Sequence, residues 1–224
     1  MRKSTTLFAC LCLLAISSTA HATLLTSQPN GTTTVLTTVT GTWTYSPSVV
    51  AGGYTVTSAL NVWYGDSYYG LLDNGNWNNI ANGFAWVGGY CGSDGNGDCT
   101  ATINLGGLYS AVGGFMNYCV TSGASCGFGD AVITALAANG VTVLDSYDLF
   151  TLAPISTPGG NNAGAFRGIS ESTADIAYFQ ISGSYLIMHD ITVGSGTTPE
   201  PGTLALLGTG LIGAVGAIRR KIIR

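Results

Sequence analysis

The sequence predicts an all-β fold, and three observations carry that expectation. Apolar and polar residues alternate along Thr32–Tyr45, Thr100–Leu105, Val141–Leu144, Ile176–Ile181 and Tyr185–Val193, the pattern of strands with one face on a core. Turn-forming pairs punctuate these runs at Asn30-Gly31, Asn74-Gly75, Asn82-Gly83 and Asn139-Gly140. The 224 residues are 46% apolar and include 33 glycines but only 8% charged residues, so a core is available and a solvated disordered polymer is excluded. Strands at this spacing suit a sandwich or a barrel. Ala131–Ala138 fits a strand or a short helix capped by Asp130 and ended by Asn139-Gly140. Pro154–Gly164 reads as a long loop.

The two ends read as addresses. Arg2 and Lys3 precede a ten-residue apolar run, Leu7–Ile16, and Ala20-His21-Ala22 follows with small residues at the cleavage positions. That is a secretory signal over residues 1–22, cut after Ala22 by signal peptidase. At the other end, Pro199-Glu200-Pro201 stands before an apolar stretch at about 203–218 and a basic tail of Arg219, Arg220, Lys221 and Arg224. Fifteen apolar residues, Leu204–Ile218, reach roughly 22 Å as a helix against the ~30 Å hydrocarbon core, so this is a single short span with snorkelling basic flanks. The basic residues should remain cytoplasmic and the body outside.

This triad of Pro-Glu-Pro, marginal glycine-rich helix and terminal basic cluster resembles the PEP-CTERM sorting signal of Gram-negative bacteria. Gly202 stands where that family commonly has Ser. The resemblance implies that an exosortase, a membrane protease, recognises Pro199, Glu200 and Pro201 and removes the tail. It also implies association with exopolysaccharide or biofilm material at the cell surface or in the extracellular matrix.

The remaining body, residues 23–198, carries ten acids and one base, Arg167, a net charge of −9 (ten minus one). Nucleic-acid binding is excluded, because it depends on Lys and Arg neutralising phosphates. Within the body, the succession Ala101–Gly107, Ala111–Phe115, Ala138–Val143, Ala177–Ile181 and Tyr185–Val193 resembles a discoidin or galactose-binding-like jelly roll. The fold that this implies is a β-sandwich. Asn104 replaces the Asp that the family favours, and Asp190 replaces its Glu.

Export removes Cys10 and Cys12 and leaves Cys91, Cys99, Cys119 and Cys126, which allow three connectivities in an oxidising compartment. The spacing favours Cys91–Cys99 and Cys119–Cys126. The rival nests Cys99–Cys119 inside Cys91–Cys126 around a hairpin centred near Tyr109, and a four-thiolate zinc site is the third reading.

Catalytic chemistry is sparse. Gly168-Ile169-Ser170-Glu171-Ser172 approaches a nucleophile elbow but has Ser172 in place of the second Gly. His189 is the body's only histidine, and nothing in the sequence ties it to Ser170. The body has no lysine for Schiff-base or P-loop chemistry. Asp94, Asn96 and Asp98 open like an EF-hand loop, yet Leu105 occupies the place of the bidentate Glu. A polar turn is the better reading, so neither a metal nor a cofactor is expected. Val62–Tyr69 and Asn74–Asn79 mix rings with amides and acids, a combination that stacks on sugars. Trp63 and Trp77 are the candidate glycan contacts, and the competing reading has Trp63, Trp77 and Trp86 filling the core. The expectation is a non-enzymatic surface or matrix protein. The alternatives are a carbohydrate-binding module and a glycoside hydrolase whose acid pair is hidden among the scattered carboxylates.

Overall fold

Fifteen strands and one short helix form among the residues that the computed structural model describes: 22–36, 44–65, 69–71, 75–77, 85–90, 99–118, 130–157, 160–162, 164–183 and 185–194. All lie within Ala22–Gly196. The alternating runs become strand at Ala101–Leu105, Ile176–Ile181 and Ile187–Val193, from Val143 in the Val141–Leu144 run, and at Thr32–Thr34 and from Thr44 in the Thr32–Tyr45 run, of which 37–43 lies outside the described residues; the body is all-β.

Twelve strands make one long sheet. Its first half runs β1 (Thr23–Leu25), β13 (Ala165–Ser170), β9 (Ala111–Asn117), β15 (Ile187–Gly194), β7 (Trp86–Tyr90) and β4 (Tyr54–Gly65). Its second half continues from β4 through β8 (Ala101–Tyr109), β14 (Ile176–Ser182) and β10 (Val132–Leu136) to β11 (Val143–Asp148). β2 (Thr32–Thr34) adds to β15, and β3 (Thr44–Ala51) adds to β4. A separate small sheet holds β5 (Tyr69–Leu71), β6 (Gly75–Trp77) and β12 (Asn161–Asn162).

β4 joins the halves because it is long enough to serve both. Thr55–Thr57 pair with β8, whereas Asn61–Gly65 pair with β7. β3 follows β4 along both stretches and shifts register between Ser46 and Ser48, around Pro47. Proline donates no backbone hydrogen bond, and an edge strand tolerates it there. One core cluster draws Val112, Met116, Ile169 and Met188 from the first half and Ile103, Ile133, Phe179 and Ile181 from the second. The folded-over sheet is therefore sandwich-like, and its two outermost strands approach each other. The Tyr147 hydroxyl on β11 interacts with the Leu24 backbone of β1, so the sheet is nearly closed.

Several expectations resolve differently in detail. Val132–Leu136 is a strand, paired on both sides with β11 and β14, so Asp130 caps no helix. The helix that does form, α1 (Leu149–Leu152), is capped by Asp148, whose carboxylate accepts the Phe150 N–H at 2.9 Å. The loop read over Pro154–Gly164 contains β12, paired in parallel with β6. β8 and β9 form no hairpin around Tyr109. They leave Ser110 for different halves of the sheet, and Ser110 N–H donates to the Gly194 carbonyl at 3.2 Å. The hairpin that motivated nested cysteine pairing is thus absent.

β15 is buried along its whole length, and its register breaks between His189 and Thr192. Asp190 sits at this break with φ of 57°, a left-handed conformation that Asp tolerates better than most residues. The facing strand yields space through Gly114, where a Cβ would lie 2.2 Å from the Asp190 carbonyl oxygen and 2.7 Å from the Met188 side chain. Gly114→Ala should therefore destabilise the protein by about 2–3 kcal/mol through overpacking. Gly53→Ala, left-handed but open around its Cβ, should lose only about 1–2 kcal/mol. Urea denaturation of the two variants measures the difference, and equal midpoints would contradict the close approach at Asp190.

Candidate functional site

The face of the first half turned away from the core carries a second apolar cluster. Val62 and Tyr64 of β4 point into the main core, so the intervening Trp63 points out. Register places Tyr45 opposite Trp63, Gly88 opposite Trp63 on the other side, and Asn61 opposite Tyr90. The rings touch. Trp63 lies 5.8 Å from Tyr45, 5.6 Å from Tyr90 and 5.9 Å from Trp86 between centroids, and Tyr45 meets Tyr90 edge-on at 5.1 Å. Trp86 is 1% exposed and packs with Ile187, while Tyr45 is 48% exposed. The row continues through Phe115, which stands 5.7 Å from Phe166 and 6.1 Å from His189.

The tryptophans therefore divide in a way that neither sequence reading anticipated. Trp86 is buried but outside the main core, Trp63 is half-buried at the rim of an aromatic patch, and Trp77 stands on β6 in the separate sheet. Among the described residues no strand ladder joins Trp77 to Trp63. Tyr45 and Tyr90 are the patch members that sequence reasoning missed. Their outward phase in β3 and β7 was the available signal, but it becomes specific only once the register is known.

Arg167 forms a polar node at the core's edge. It shares the inward face of β13 with Ile169 and is 8% exposed. Its Nε donates to the Tyr118 hydroxyl at 3.0 Å and to the Ala153 carbonyl at 3.2 Å. Nη2 donates to the Ala153 carbonyl and Nη1 to the Phe166 carbonyl, each at 2.8 Å. The Tyr118 hydroxyl donates to the same Ala153 oxygen. Burial raises the Tyr118 pKa, with the neighbouring guanidinium pulling it down. No carboxylate among the described residues pairs with Arg167; carbonyl dipoles hold its charge instead. This geometry ties β13, the end of β9 and the end of α1 together, and leaves the body's one cation unavailable as a surface anion site.

His189 and Asp190 are neighbours on β15, with Nδ1 and Oδ1 3.0 Å apart. Ser170 pairs with Ala111 of β9, whereas His189 pairs with Phe115. Four residues of strand separate those levels, roughly 13 Å, so Ser170 and His189 are not brought together. Ser170 also ends a strand instead of opening a helix, as a nucleophile elbow requires.

Acids gather where the sheet nearly closes. Tyr147 is pushed above its ordinary pKa by burial, then by its hydrogen bond and charge contact with Asp145, with Glu171 adding to the effect. Glu171 is raised by burial and by the charges of Asp145 and Asp175, and its Oε1 is buried without a hydrogen-bond partner. Among the described residues no three His, Cys, Asp or Glu side chains form a metal-binding group. Cys99 is buried beside Gly89, where a Cβ would meet the Cys99 carbonyl at 1.9 Å. Cys91, Cys119, Cys126, the Asp94–Asp98 turn, Ala20, Pro199–Pro201, the 203–218 span and the basic tail 219–224 lie outside the described residues. No described helix is long and apolar enough to cross a membrane.

Glu171 sets a pH test with a definite sign. Its folded pKa lies above the ordinary 4.5, so its charged form opposes folding near neutrality, and that cost is relieved as pH falls through the raised value. Glu171→Gln should be more stable than wild type at pH 7 by roughly 0.5–1 kcal/mol for a partly exposed group. The gap should close as the pH approaches 4.5. Denaturation midpoints across that range, compared between the two proteins, provide the measurement.

With fold and side chains placed, comparison with known proteins identifies one segment. Residues 197–221 match the PEP-CTERM protein-sorting motif. This motif marks an exported protein that transits a membrane-anchored state before exosortase processing. The chain is thus an all-β exported protein and an exosortase substrate. No curated protein and no solved structure matches it.

Proposed function

We propose that this protein is a non-enzymatic component of the cell surface or extracellular matrix, associated with exopolysaccharide or biofilm. In this reading signal peptidase cuts after Ala22, exosortase releases the body from the short span at 203–218, and the body acts without turnover. The observation that carries it is the sorting motif over residues 197–221, with Pro199, Glu200 and Pro201 ahead of the span and Arg219–Lys221 behind it. A galactose-binding-like jelly roll is the proposed class of the body. Its support is a chain that repeatedly crosses between the two halves of a folded-over sheet, as at Ser110 between β8 and β9. The wide separation of Ser170 and His189 along β9 also favours a role without catalysis.

Processing is directly testable. Replacing Pro199, Glu200 and Pro201 together by alanine leaves the apolar stretch intact, and the intact tail should then persist. The mass of the C-terminal peptide from cells making each form reads this, and unchanged trimming would leave a plain single-span anchor.

Two local bridges, Cys91–Cys99 and Cys119–Cys126, complete the proposed exported form. Each small loop should contribute roughly 2–3 kcal/mol in the loop-entropy treatment. Non-reducing peptide mapping of the exported protein should recover those two pairs, and recovery of Cys99 joined to Cys119 would refute them.

A further inference from the structure

We infer that the Tyr45–Trp63–Tyr90 patch, with Asn61 at its edge, binds a single soluble chain of uncharged polysaccharide. The inference rests on the exopolysaccharide association above and gives it a location and a ligand class.

Three features of the patch point to that occupant. First, the rings support one another. Trp63 packs edge-on against buried Trp86 at 5.9 Å, while its other neighbour Tyr45 remains 48% exposed. A supported ring with an accessible neighbour can stack on the apolar face of a sugar without collapsing onto its own surface. The tyrosine hydroxyls and the Asn61 amide, set opposite Tyr90, supply the few polar groups that orient a ligand.

Second, the patch is free of charge on a strongly acidic body. The strands that build it, Thr44–Ala51, Tyr54–Gly65 and Trp86–Tyr90, contain no Asp, Glu, Lys or Arg. Recognition of a polyanion needs cations, and Arg167 is committed to carbonyls at the core's edge. A neutral polymer meets no electrostatic penalty here, whereas an acidic one meets the repulsion of the body's net negative charge.

Third, the rings are inclined to one another, Tyr45 by 40° to Trp63 and by 69° to Tyr90. Stacking requires a ring parallel to the sugar it covers, so these rings cannot all lie flat on the surface of a crystalline polymer. A lone chain twists and can present successive sugar faces to inclined rings. The occupant is therefore a dispersed chain.

The experiment uses the full chain in detergent micelles with hydroxyethyl cellulose, galactomannan and dextran as neutral probes. Alginate is the acidic probe and cellulose powder the crystalline one. Wild type should bind at least one soluble neutral polymer, with a change in tryptophan emission, and should bind it more tightly than alginate or cellulose powder. Tyr45→Ala should weaken that binding about two- to tenfold. Tyr45→Phe, which keeps the ring, should retain most of it, and Leu108→Ala, an exposed apolar site elsewhere, should leave it unchanged. Circular dichroism confirms that each variant is folded, and Tyr90→Ala replaces Tyr45→Ala if the latter is not. Absence of binding to every neutral polymer, or equal binding by the folded alanine variant, overturns the inference, as does a preference for alginate. Retention in washed matrix from producing cells separates the two readings. If both Tyr45→Ala and wild type stay in the matrix equally, the patch is wrong and the association stands. If wild type is itself absent from the matrix, both fall.

Discussion

The fold depends on one strand serving two ladders. β4 runs twelve residues, roughly 40 Å of extended chain, about twice the common strand length. Its first part is bonded to β8 and its last part to β7, so the sheet continues through β4 while turning over on itself. Apolar residues of both halves then meet in one core. A shorter β4 would leave two sheets joined only by chain crossovers such as Ser110, with no ladder shared between them. β3 lines both parts of β4, and its register shift at Pro47 supplies the local bend and twist that a folded-over hairpin needs.

Turning the sheet over also determines where the polar groups end up. The outermost strands, β1 and β11, come near enough for Tyr147 to interact with the Leu24 backbone, which moderates the exposed edges that a long open sheet would otherwise present. The same approach concentrates Asp145, Glu171 and Asp175. Those acids sit in mutual repulsion, and the body's one base is elsewhere, with its guanidinium bonded to the Ala153 and Phe166 carbonyls. Among the described residues, charge pairing between acids and bases does not knit the fold. Arg167 acts as a multi-pronged hydrogen-bond donor, a role for which its fixed planar fork is better suited than a lysine ammonium.

The outward aromatic cluster follows from the same strands. Alternation sends Val62 and Tyr64 inward and Trp63 outward, and cross-strand register gathers Tyr45, Tyr90 and Trp86 around it. Burying Trp86 on the far face of the sheet makes this half apolar on both sides, which explains why β15 is buried from end to end. It also explains why β7 is buried through Trp86-Val87-Gly88 before Gly89 and Tyr90 become half-buried. Gly88 and Gly89 stand where neighbouring backbone passes within 2.6 Å and 1.9 Å of where a Cβ would be. Side chains would not fit.

The sequence by itself determined the all-β class, the strands β8, β14 and β15, the acidic balance of the body and the sorting tail, because each is local: a period of two, a count of charges, a short motif. It left Val132–Leu136 open between helix and strand, since a short apolar run satisfies both patterns and only pairing with β11 and β14 decides between them. It did not reveal the break at Asp190, because a bulge depends on how the facing strand is aligned. Nor did it reveal α1, a four-residue turn whose end at Ala153 accepts hydrogen bonds from Arg167. The rings around Trp63 come from positions 45, 63, 86 and 90, and the separation of Ser170 from His189 is set by strands β13, β9 and β15. Tertiary structure alone decided these relations, because register between distant strands is fixed by the summed packing of the sheet and is written in no single segment.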